Sequence, residues 1–228
     1  MKYRCVLFDC DGTLVDTIND IASAMNRSLT RHGFPVLPVE QYRDIVGWGI
    51  FRLAELALPQ DARTEETIAT VGSCAQRIMG EQPAEESLSK PYSGIRELVS
   101  QLRAKKFSLG VLSNKPDPVL RRLMDDLFGS GAFDAICGLR TGIIPKPDPS
   151  SVWETLAELG RVPGDTIFLG DSEIDMETAR KSGCYPLGVS WGYRSRAVLE
   201  ASGAAHIIDT PEEIWELITP SGRHGSRD

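Results

Sequence analysis

Two aspartates separated by one residue, Asp9 and Asp11, directly follow an apolar run and precede a Gly-Thr pair. The run, residues 3–8, has the composition of a buried strand, and Gly12 breaks that pattern. In open α/β sheets, ligands bind at the carboxyl ends of the strands. A turn at Gly12 would bring the two carboxylates together, where they could hold a divalent cation or act as nucleophile and general acid. The same pattern is also compatible with an Asx turn that ends a strand.

A hydroxyl and an amide, those of Ser113 and Asn114, follow a second apolar run at residues 107–112. Together with the backbone N–H groups of a turn, they could bind an anionic oxygen, above all that of a phosphate. Ser-Asn after a strand is also a common N-cap of the next helix. Taken alone, these two residues favour the helix cap.

Two further carboxylates, Asp171 and Asp175, follow a third strand-like run at residues 166–169. We expect Asp171 at the same sheet edge as the first two acids and Asp175 in the first turn of the next helix, where the helix dipole alone would favour it. Like charges about 4 Å apart cost roughly 4 kcal/mol per pair at an effective dielectric of about 20. A bound cation would relieve this repulsion, and an all-oxygen ligand set favours Mg²⁺.

One lysine, Lys146, lies between Pro145 and Pro147. The two prolines restrict the loop to few backbone conformations, which would hold one side chain in a fixed direction. An ammonium beside the acids would offset their charge and stabilise negative charge on a phosphoryl group. A single lysine is more often a solvated surface residue, but the flanking prolines favour a functional role.

The order of the elements predicts how these side chains are positioned. Strand-like runs lie at residues 3–8, 107–112, 135–137, 166–169, 186–189 and 206–208. Helical patterns fill the gaps, for example at residues 95–105, 119–127, 150–159 and 174–182. Strands that alternate with helices indicate βαβ units, so we predict an α/β fold with a parallel sheet.

Residues 16–88 interrupt this alternation. They show helical periodicity at residues 18–31, 39–46, 50–57 and 65–79, and no convincing strand. We therefore expect a catalytic core formed by residues 1–15 and 89–220, and a helical cap domain at 16–88 that is inserted after the first strand. The Gly-, Ser- and Arg-rich tail, residues 221–228, is expected to be disordered.

Composition limits the possible partners. The 228 residues include 25 Lys and Arg against 32 Asp and Glu, a net charge of −7, so we expect no nucleic-acid partner. No apolar run is as long as a membrane span and no signal peptide precedes the first strand, so we expect no membrane partner. Five scattered cysteines without a Cys-x-x-Cys pair favour a reduced, cytoplasmic protein. Monomer and homodimer both remain open.

Taken together, the four polar segments resemble the signatures of the haloacid dehalogenase-like phosphohydrolase superfamily. Those signatures are Asp-x-Asp-Gly-Thr, a strand-end Ser or Thr, a loop Lys and Gly-Asp-x-x-x-Asp, and all four occur here in order over nearly the whole chain. The resemblance implies a Rossmann-like core with an α-helical cap after the first motif. It implies a phosphatase of small phosphorylated metabolites.

The resemblance also implies roles for individual residues. Asp9 would attack phosphorus to give an aspartyl-phosphate, and Asp11 would protonate the leaving alcohol and later activate water. Ser113 and Lys146 would bind the transferring group, with Asn114 assisting. Because a carboxyl with an ordinary pKa near 3.9 is ionised at neutral pH, a closed, dry cap would have to raise the pKa of Asp11.

The same resemblance implies Mg²⁺ as the cofactor. The Asp9 side chain, the Asp11 main-chain carbonyl and Asp171 would hold the ion. Asp175 would support it directly or through water.

Further segments resemble the phosphoglycolate phosphatase branch of the superfamily. They are residues 113–116, residues 175–179 with Gly183, and residues 188–193. In the cap, Gly47, Trp48 and Gly49 resemble the substrate loop of that branch: the glycines would let backbone N–H groups approach a small anion, and Arg52 could pair with its carboxylate. Equally, Trp48 could belong to the cap core and the glycines to a simple turn.

Other activities that occur on the same core need different residues. A dehalogenase does not need the acid Asp11, and a phosphonatase would need a cap lysine, whereas residues 17–88 contain none. A β-phosphoglucomutase-like phosphotransferase and a nucleotide or pyrophosphate phosphatase remain alternatives. A non-catalytic binding protein is disfavoured because no motif is broken.

Overall fold

The computed structural model describes residues 2–218, so the expected tail at 221–228 and the last two residues of the expected core lie outside the described residues. The strands are β1 (Cys5–Phe8), β2 (Val15–Asp16), β3 (Lys90–Pro91), β4 (Ser108–Pro116), β5 (Ala135–Leu139), β6 (Thr166–Gly170), β7 (Tyr185–Val189) and β8 (His206–Ile208). The helices are α1 (Ile18–Arg31), α2 (Val39–Ile45), α3 (Ile50–Ala57), α4 (Glu65–Glu81), α5 (Ile95–Ala104), α6 (Asp117–Phe128), α7 (Ser150–Glu158), α8 (Glu173–Ser182), α9 (Arg196–Ala201) and α10 (Ile214–Ile218). Short 3₁₀ turns lie at Gln60–Ala62, Ala84–Glu86, Pro163–Asp165 and Pro211–Glu213.

Six strands form one parallel sheet in the order β5-β4-β1-β6-β7-β8, which confirms the predicted α/β class. Alternate residues of β1 face opposite sides: Val6 and Phe8 pack with α5, α6 and α10, whereas Cys5 and Leu7 pack with α7 and α8. All four are fully buried, because helices cover both faces of a parallel sheet.

The register places the carboxyl ends of the three central strands side by side. Phe8 of β1 lies between Val111 of β4 and Leu169 of β6. The chain therefore leaves β1 and β6 at nearly the same level, and Asp9 and Asp171 are the first residues after the two strands. Strand β4 continues to Pro116, four residues further than predicted, and so carries its polar residues past this level.

Helices α1–α4, here called the helical unit (residues 18–81), follow β1 and form a hydrophobic core of their own. Its largest fully buried side chains include Tyr42, Met25, Leu29 and Leu58. The expected helices between residues 18 and 79 are thus confirmed. The division into domains at residues 15 and 89 stays a prediction.

Two short strands connect the helical unit to the sheet. Strands β2 and β3 pair antiparallel, with Val15 opposite Pro91 and Asp16 opposite Lys90. Neither strand is among the strand-like runs predicted from the sequence. Two-residue strands were missed because they are too short to show an alternating pattern.

A buried carboxylate fixes the returning chain beside this ribbon. Asp20 in α1 accepts hydrogen bonds from the Ser87 and Ser89 hydroxyls and from the backbone N–H groups of Leu88 and Ser89. Burial acts to raise the pKa of Asp20, but these hydrogen bonds outweigh it and hold the pKa below its ordinary value. The carboxylate therefore connects residues 87–89, which follow the helical unit, to its first helix, α1.

No helix within residues 2–218 has the length and apolar character needed to cross a membrane.

Candidate active site

Asp9 is the first residue after β1 and lies at the centre of the site. Its backbone N–H donates to Leu169 O at 2.9 Å, and the side chain is buried. The Lys146 ammonium donates to Asp9 Oδ1 at 2.6 Å. Burial raises the pKa of Asp9 well above its ordinary value; Lys146 lowers it, and the other carboxylates of the site raise it further.

Lys146 makes three contacts through one nitrogen. Besides Asp9, its Nζ donates to Asp175 Oδ1 at 2.7 Å and to Leu112 O at 3.2 Å. Burial acts to lower the pKa of Lys146, but Asp175 and then Asp9 raise it above its ordinary value, so the side chain remains an ammonium at neutral pH. The predicted meeting of this loop with the acids is therefore present in the structure.

Asn114 holds the lysine loop in place. Its Oδ1 accepts from the Lys146 N–H at 2.8 Å, and its Nδ2 donates to Lys146 O and to Gly47 O, each at 3.0 Å. Both ends of the amide are thus occupied by backbone. Asn114 positions Lys146 in this structure, and its expected contact with phosphate stays a prediction.

Asp171 lies between backbone segments that only glycine could form. A Cβ at Gly12, where φ is +90°, would be 2.3 Å from Asp171 Oδ2, and one at Gly192 would be 2.2 Å from Asp171 Cβ. Asp171 accepts hydrogen bonds from Thr13 Oγ1 at 3.1 Å and from the Tyr193 N–H at 2.7 Å. Burial, followed by the neighbouring Asp175, raises the pKa of Asp171 to about 7.

Asp175 lies in the first turn of α8, as predicted. Its Oδ2 accepts from the backbone N–H and the hydroxyl of Ser172 in a capping box, which orients Oδ1 towards Lys146. Gly170 makes this packing possible, because a Cβ there would be 2.2 Å from Asp175 Cβ.

Three carboxylates of the site fit a divalent cation. One oxygen from each of Asp9, Asp171 and Asp175 lies within 4.8 Å of the others, and all three residues are buried. Among residues 2–218, Lys146 supplies the only ammonium that contacts two members of this trio, so the three charges are incompletely balanced. Oxygen-only donors with excess negative charge suit Mg²⁺.

The Asp11 side chain points away from this trio. It accepts from Thr17 Oγ1 at 2.6 Å and pairs with Lys115 Nζ at 2.9 Å. The backbone N–H of Thr17 donates to the Tyr193 hydroxyl at 3.0 Å. The side chain of the second acid is thus held by Thr17 and Lys115, whereas that of the first is held by Lys146.

Ser113 lies on β4 and is buried. Its Oγ accepts from the Lys115 N–H at 3.2 Å. The hydroxyl also lines the cavity described next, as the predicted phosphate-binding role requires.

A cavity lies between the carboxyl edge of the sheet and the helical unit. The sequence-predicted core residues Asp9, Asp11, Ser113, Asn114, Lys146, Asp171 and Asp175 all line it. From the helical unit it is lined by the apolar side chains of Ile21, Val46, Ile50, Leu53 and Met79. Its volume of about 50 Å³ holds only a few molecules of the size of water.

The predicted substrate loop is only partly at this cavity. Gly47 and Gly49 line it, with φ values of +118° and +87° that disfavour any side chain. Trp48 is 41% exposed and lies outside the lining. Arg52 also lies outside it and pairs with Glu55 on the surface of α3, at 2.5 Å.

Sequence reasoning missed two cations at the cavity, Lys115 and Arg194. Arg194 donates to the backbone carbonyls of Arg43 and Val46 in the helical unit, the latter at 2.9 Å, and pairs with Glu173 at 3.0 Å. Nothing in the local pattern distinguishes this arginine. Lys115 could have been found, because it lies only two residues after Ser113, at the same carboxyl end of β4.

Known proteins resemble this chain over most of its length. A family model described as haloacid dehalogenase-like hydrolase matches residues 6–189. A phosphoglycolate phosphatase of Aquifex aeolicus is 33% identical over 190 residues, covering 83% of this chain and 86% of its own. A phosphoglycolate phosphatase of Pseudomonas putida is 29% identical over 214 residues, covering 90% of this chain and 76% of its own.

Solved structures show the same architecture. A protein of Lactobacillus delbrueckii, provisionally named a phosphoglycolate phosphatase, superposes with a TM-score of 0.88 at 31% identity, covering 97% of this chain and 100% of its own. These matches confirm the expected superfamily and the phosphatase class within it. The chain belongs to the haloacid dehalogenase-like hydrolase family.

Proposed function

We propose that this protein is a Mg²⁺-dependent phosphatase that hydrolyses a small phosphate monoester, with phosphoglycolate favoured, through a phosphorylated Asp9. The observation that carries the proposal is the convergence of two differently held acids at one cavity. Asp9 contacts Lys146 beside the carboxylate trio, while Asp11 is held apart by Thr17 and Lys115.

The metal site in this proposal consists of the side chains of Asp9, Asp171 and Asp175 with the main-chain carbonyl of Asp11. When bound, Mg²⁺ would neutralise charge on the phosphoryl oxygens and on the carboxylates. Burial, and then the neighbouring carboxylates, raise the pKa of Asp9 and Asp171, and a bound cation would favour the ionised form of both, which supports the proposal.

In the first step, an Asp9 carboxylate oxygen attacks phosphorus and the bond from phosphorus to the leaving alcohol breaks. Asp11 gives its proton to the leaving oxygen. All three N–H donors of Lys146 are occupied in the structure, so this ammonium would exchange one acceptor for a phosphoryl oxygen as the new bond to Asp9 forms. Ser113 supplies a further donor.

In the second step, Asp11 takes a proton from water, and the resulting hydroxide attacks phosphorus. The bond between Asp9 and phosphorus breaks, which releases phosphate and restores both acids to their starting states. The helical unit covers the cavity and limits the entry of other water, which protects the acyl phosphate until the alcohol has left.

The size and lining of the cavity support a small substrate. At about 50 Å³ the cavity holds little more than a phosphoryl group, so an ester with a short organic portion requires the least movement of the helical unit and a nucleotide the most. The relatives named phosphoglycolate phosphatases agree with this size.

The five buried free thiols support the cytoplasm as the compartment.

The proposal is tested by phosphate release from p-nitrophenyl phosphate and phosphoglycolate, with Mg²⁺ and after its removal by EDTA. We expect Asp9→Asn to reduce kcat by at least about 10³-fold, because the amide is a poor nucleophile. Asp61→Asn, at an exposed position of the helical unit, is the matched control and should keep full activity. Turnover by Asp9→Asn at the wild-type rate, or no turnover by the wild type with Mg²⁺, would refute the proposal.

A further inference from the structure

Lys115 is a buried cation at the cavity that the reaction steps above do not use. Its side chain is 3% exposed, and its only ion pair in the described part of the chain is with Asp11. Resting on the proposed function, we propose that Lys115 binds a carboxylate in the organic portion of the substrate. The enzyme would thereby select phosphate esters of small hydroxy acids over esters of neutral alcohols.

The position of Lys115 suits this role. It lies on β4 two residues after Ser113, and its backbone N–H donates to the Ser113 hydroxyl at 3.2 Å, so the two residues are close together. Both residues line the cavity. A substrate whose phosphoryl group contacts Ser113 would therefore present its organic portion near Lys115.

The other two cations at the cavity have little capacity for a further anion. The three N–H donors of Lys146 are occupied by Asp9, Asp175 and Leu112 O, and Lys146 already serves the transferring group. Arg194 contacts Glu173 and two backbone carbonyls of the helical unit. Within residues 2–218, Lys115 Nζ donates to the Asp11 carboxylate alone. Because an ammonium has three donors, Lys115 can bind a further anion.

The helical unit offers no charged side chain to a carboxylate within the described cavity lining. Its side chains there are apolar, among them Ile50, Leu53 and Met79. Arg52, which the resemblance suggested as one candidate for this task, pairs with Glu55 outside the cavity. A negatively charged organic portion would thus find its counter-charge on the sheet side, at Lys115.

The role of Asp11 strengthens the argument. To reach the leaving oxygen, the Asp11 carboxyl must turn away from Lys115, which would leave a buried ammonium without a counter-ion. A buried, unpaired charge is strongly unfavourable. A substrate carboxylate would replace Asp11 as the partner of Lys115, whereas an ester of a neutral alcohol would leave the ammonium unpaired. The attraction to the carboxylate and the cost of an unpaired ammonium therefore both favour esters of hydroxy acids.

The test compares phosphoglycolate with ethyl phosphate, which has a methyl group in place of the carboxylate. For the wild type we expect kcat/KM to be at least about 10-fold higher on phosphoglycolate. Lys115→Met should reduce this preference by about 10-fold or more, and Lys115→Arg should retain part of it because it retains the charge. Lys181→Met, which removes a half-exposed lysine paired with Glu177, is the control and should leave the preference unchanged.

Equal losses on both esters in Lys115→Met would overturn the inference, because they would mean that Lys115 acts only through Asp11. No preference in the wild type would overturn it without any variant. If Lys115→Met does not fold, inhibition of the wild type by glycolate but not by ethanol supports the inference, and equal inhibition refutes it. Turnover of neither ester with Mg²⁺ would show instead that the proposed function itself is wrong.

Discussion

Replacing Asp171 by asparagine removes one charge from the carboxylate trio and preserves its hydrogen bonds. The asparagine oxygen can accept from the Tyr193 N–H, and its amide can donate to Thr13 Oγ1, which as a hydroxyl also accepts. The volume is nearly the same, so the packing between Gly12 and Gly192 is kept. The variant therefore isolates the electrostatic contribution of one buried carboxylate.

The sign and size of the effect follow from the raised pKa. The pKa of Asp171 rises from 3.8 to about 7 on folding, so between these values the folded protein holds a proton that the unfolded chain releases. The metal-free wild type therefore loses stability as pH rises through this window, and the loss levels off above pH 7. At about 1.4 kcal/mol per pKa unit, the loss between pH 5 and pH 8 is about 3 kcal/mol. Asparagine does not titrate, so the variant gains that amount relative to the wild type.

Urea unfolding in EDTA at pH 5, 6, 7 and 8 measures this difference directly. We expect the free energy of unfolding of Asp171→Asn to rise above that of the wild type as pH increases. Added Mg²⁺ should reverse the order at pH 8, because it stabilises a wild type that binds it and stabilises the variant much less. A difference that stays constant from pH 5 to pH 8 would refute the reasoning, and Asp61→Asn again serves as the control.

Two further substitutions test the packing around the site. Gly12→Ala would place a Cβ 2.3 Å from Asp171 Oδ2, so we expect a loss of about 2 kcal/mol or more in stability together with lower kcat. Gly33→Ala is the control: it is also at positive φ but has no atom within 4 Å, so it should show only the smaller backbone cost. Equal losses of stability in the two variants would contradict the steric argument. Arg194→Gln removes donors to the carbonyls of the helical unit such as Val46 O, so we expect KM to rise about 10-fold with little change in the urea midpoint of unfolding. An unchanged KM in steady-state assays would contradict this role of Arg194.

The sheet and its catalytic edge could be predicted because their signals are local. A fully buried central strand reads as an apolar run, and the residue that follows it must lie at the strand end, which placed Asp9 and Asp171 correctly relative to each other. The first-turn position of Asp175 also follows from local sequence, since a Ser three residues before it forms a capping box.

Contacts between distant segments could not be predicted in the same way. Arg194 and its partners Arg43 and Val46 are about 150 residues apart along the chain, and no spacing rule connects them. The substrate loop illustrates the same limit. Its glycines were placed by resemblance, but whether Trp48 and Arg52 face the cavity depends on how α3 is rotated, and the sequence pattern does not specify that rotation.

The close packing of Asp171 between two backbone segments has an evolutionary consequence. Gly12 and Gly192 confine this carboxylate through main-chain atoms, and the Tyr193 N–H and the Thr13 hydroxyl hold it by hydrogen bonds, so its position depends largely on backbone that substitution of neighbouring side chains leaves in place. The apolar wall supplied by the helical unit is built in the opposite way, from interchangeable side chains such as Leu53 and Met79. Mutation can therefore reshape that wall and change which ester enters, while the carboxylate opposite it stays in place. Such a molecule can diversify in substrate preference without rebuilding its chemistry.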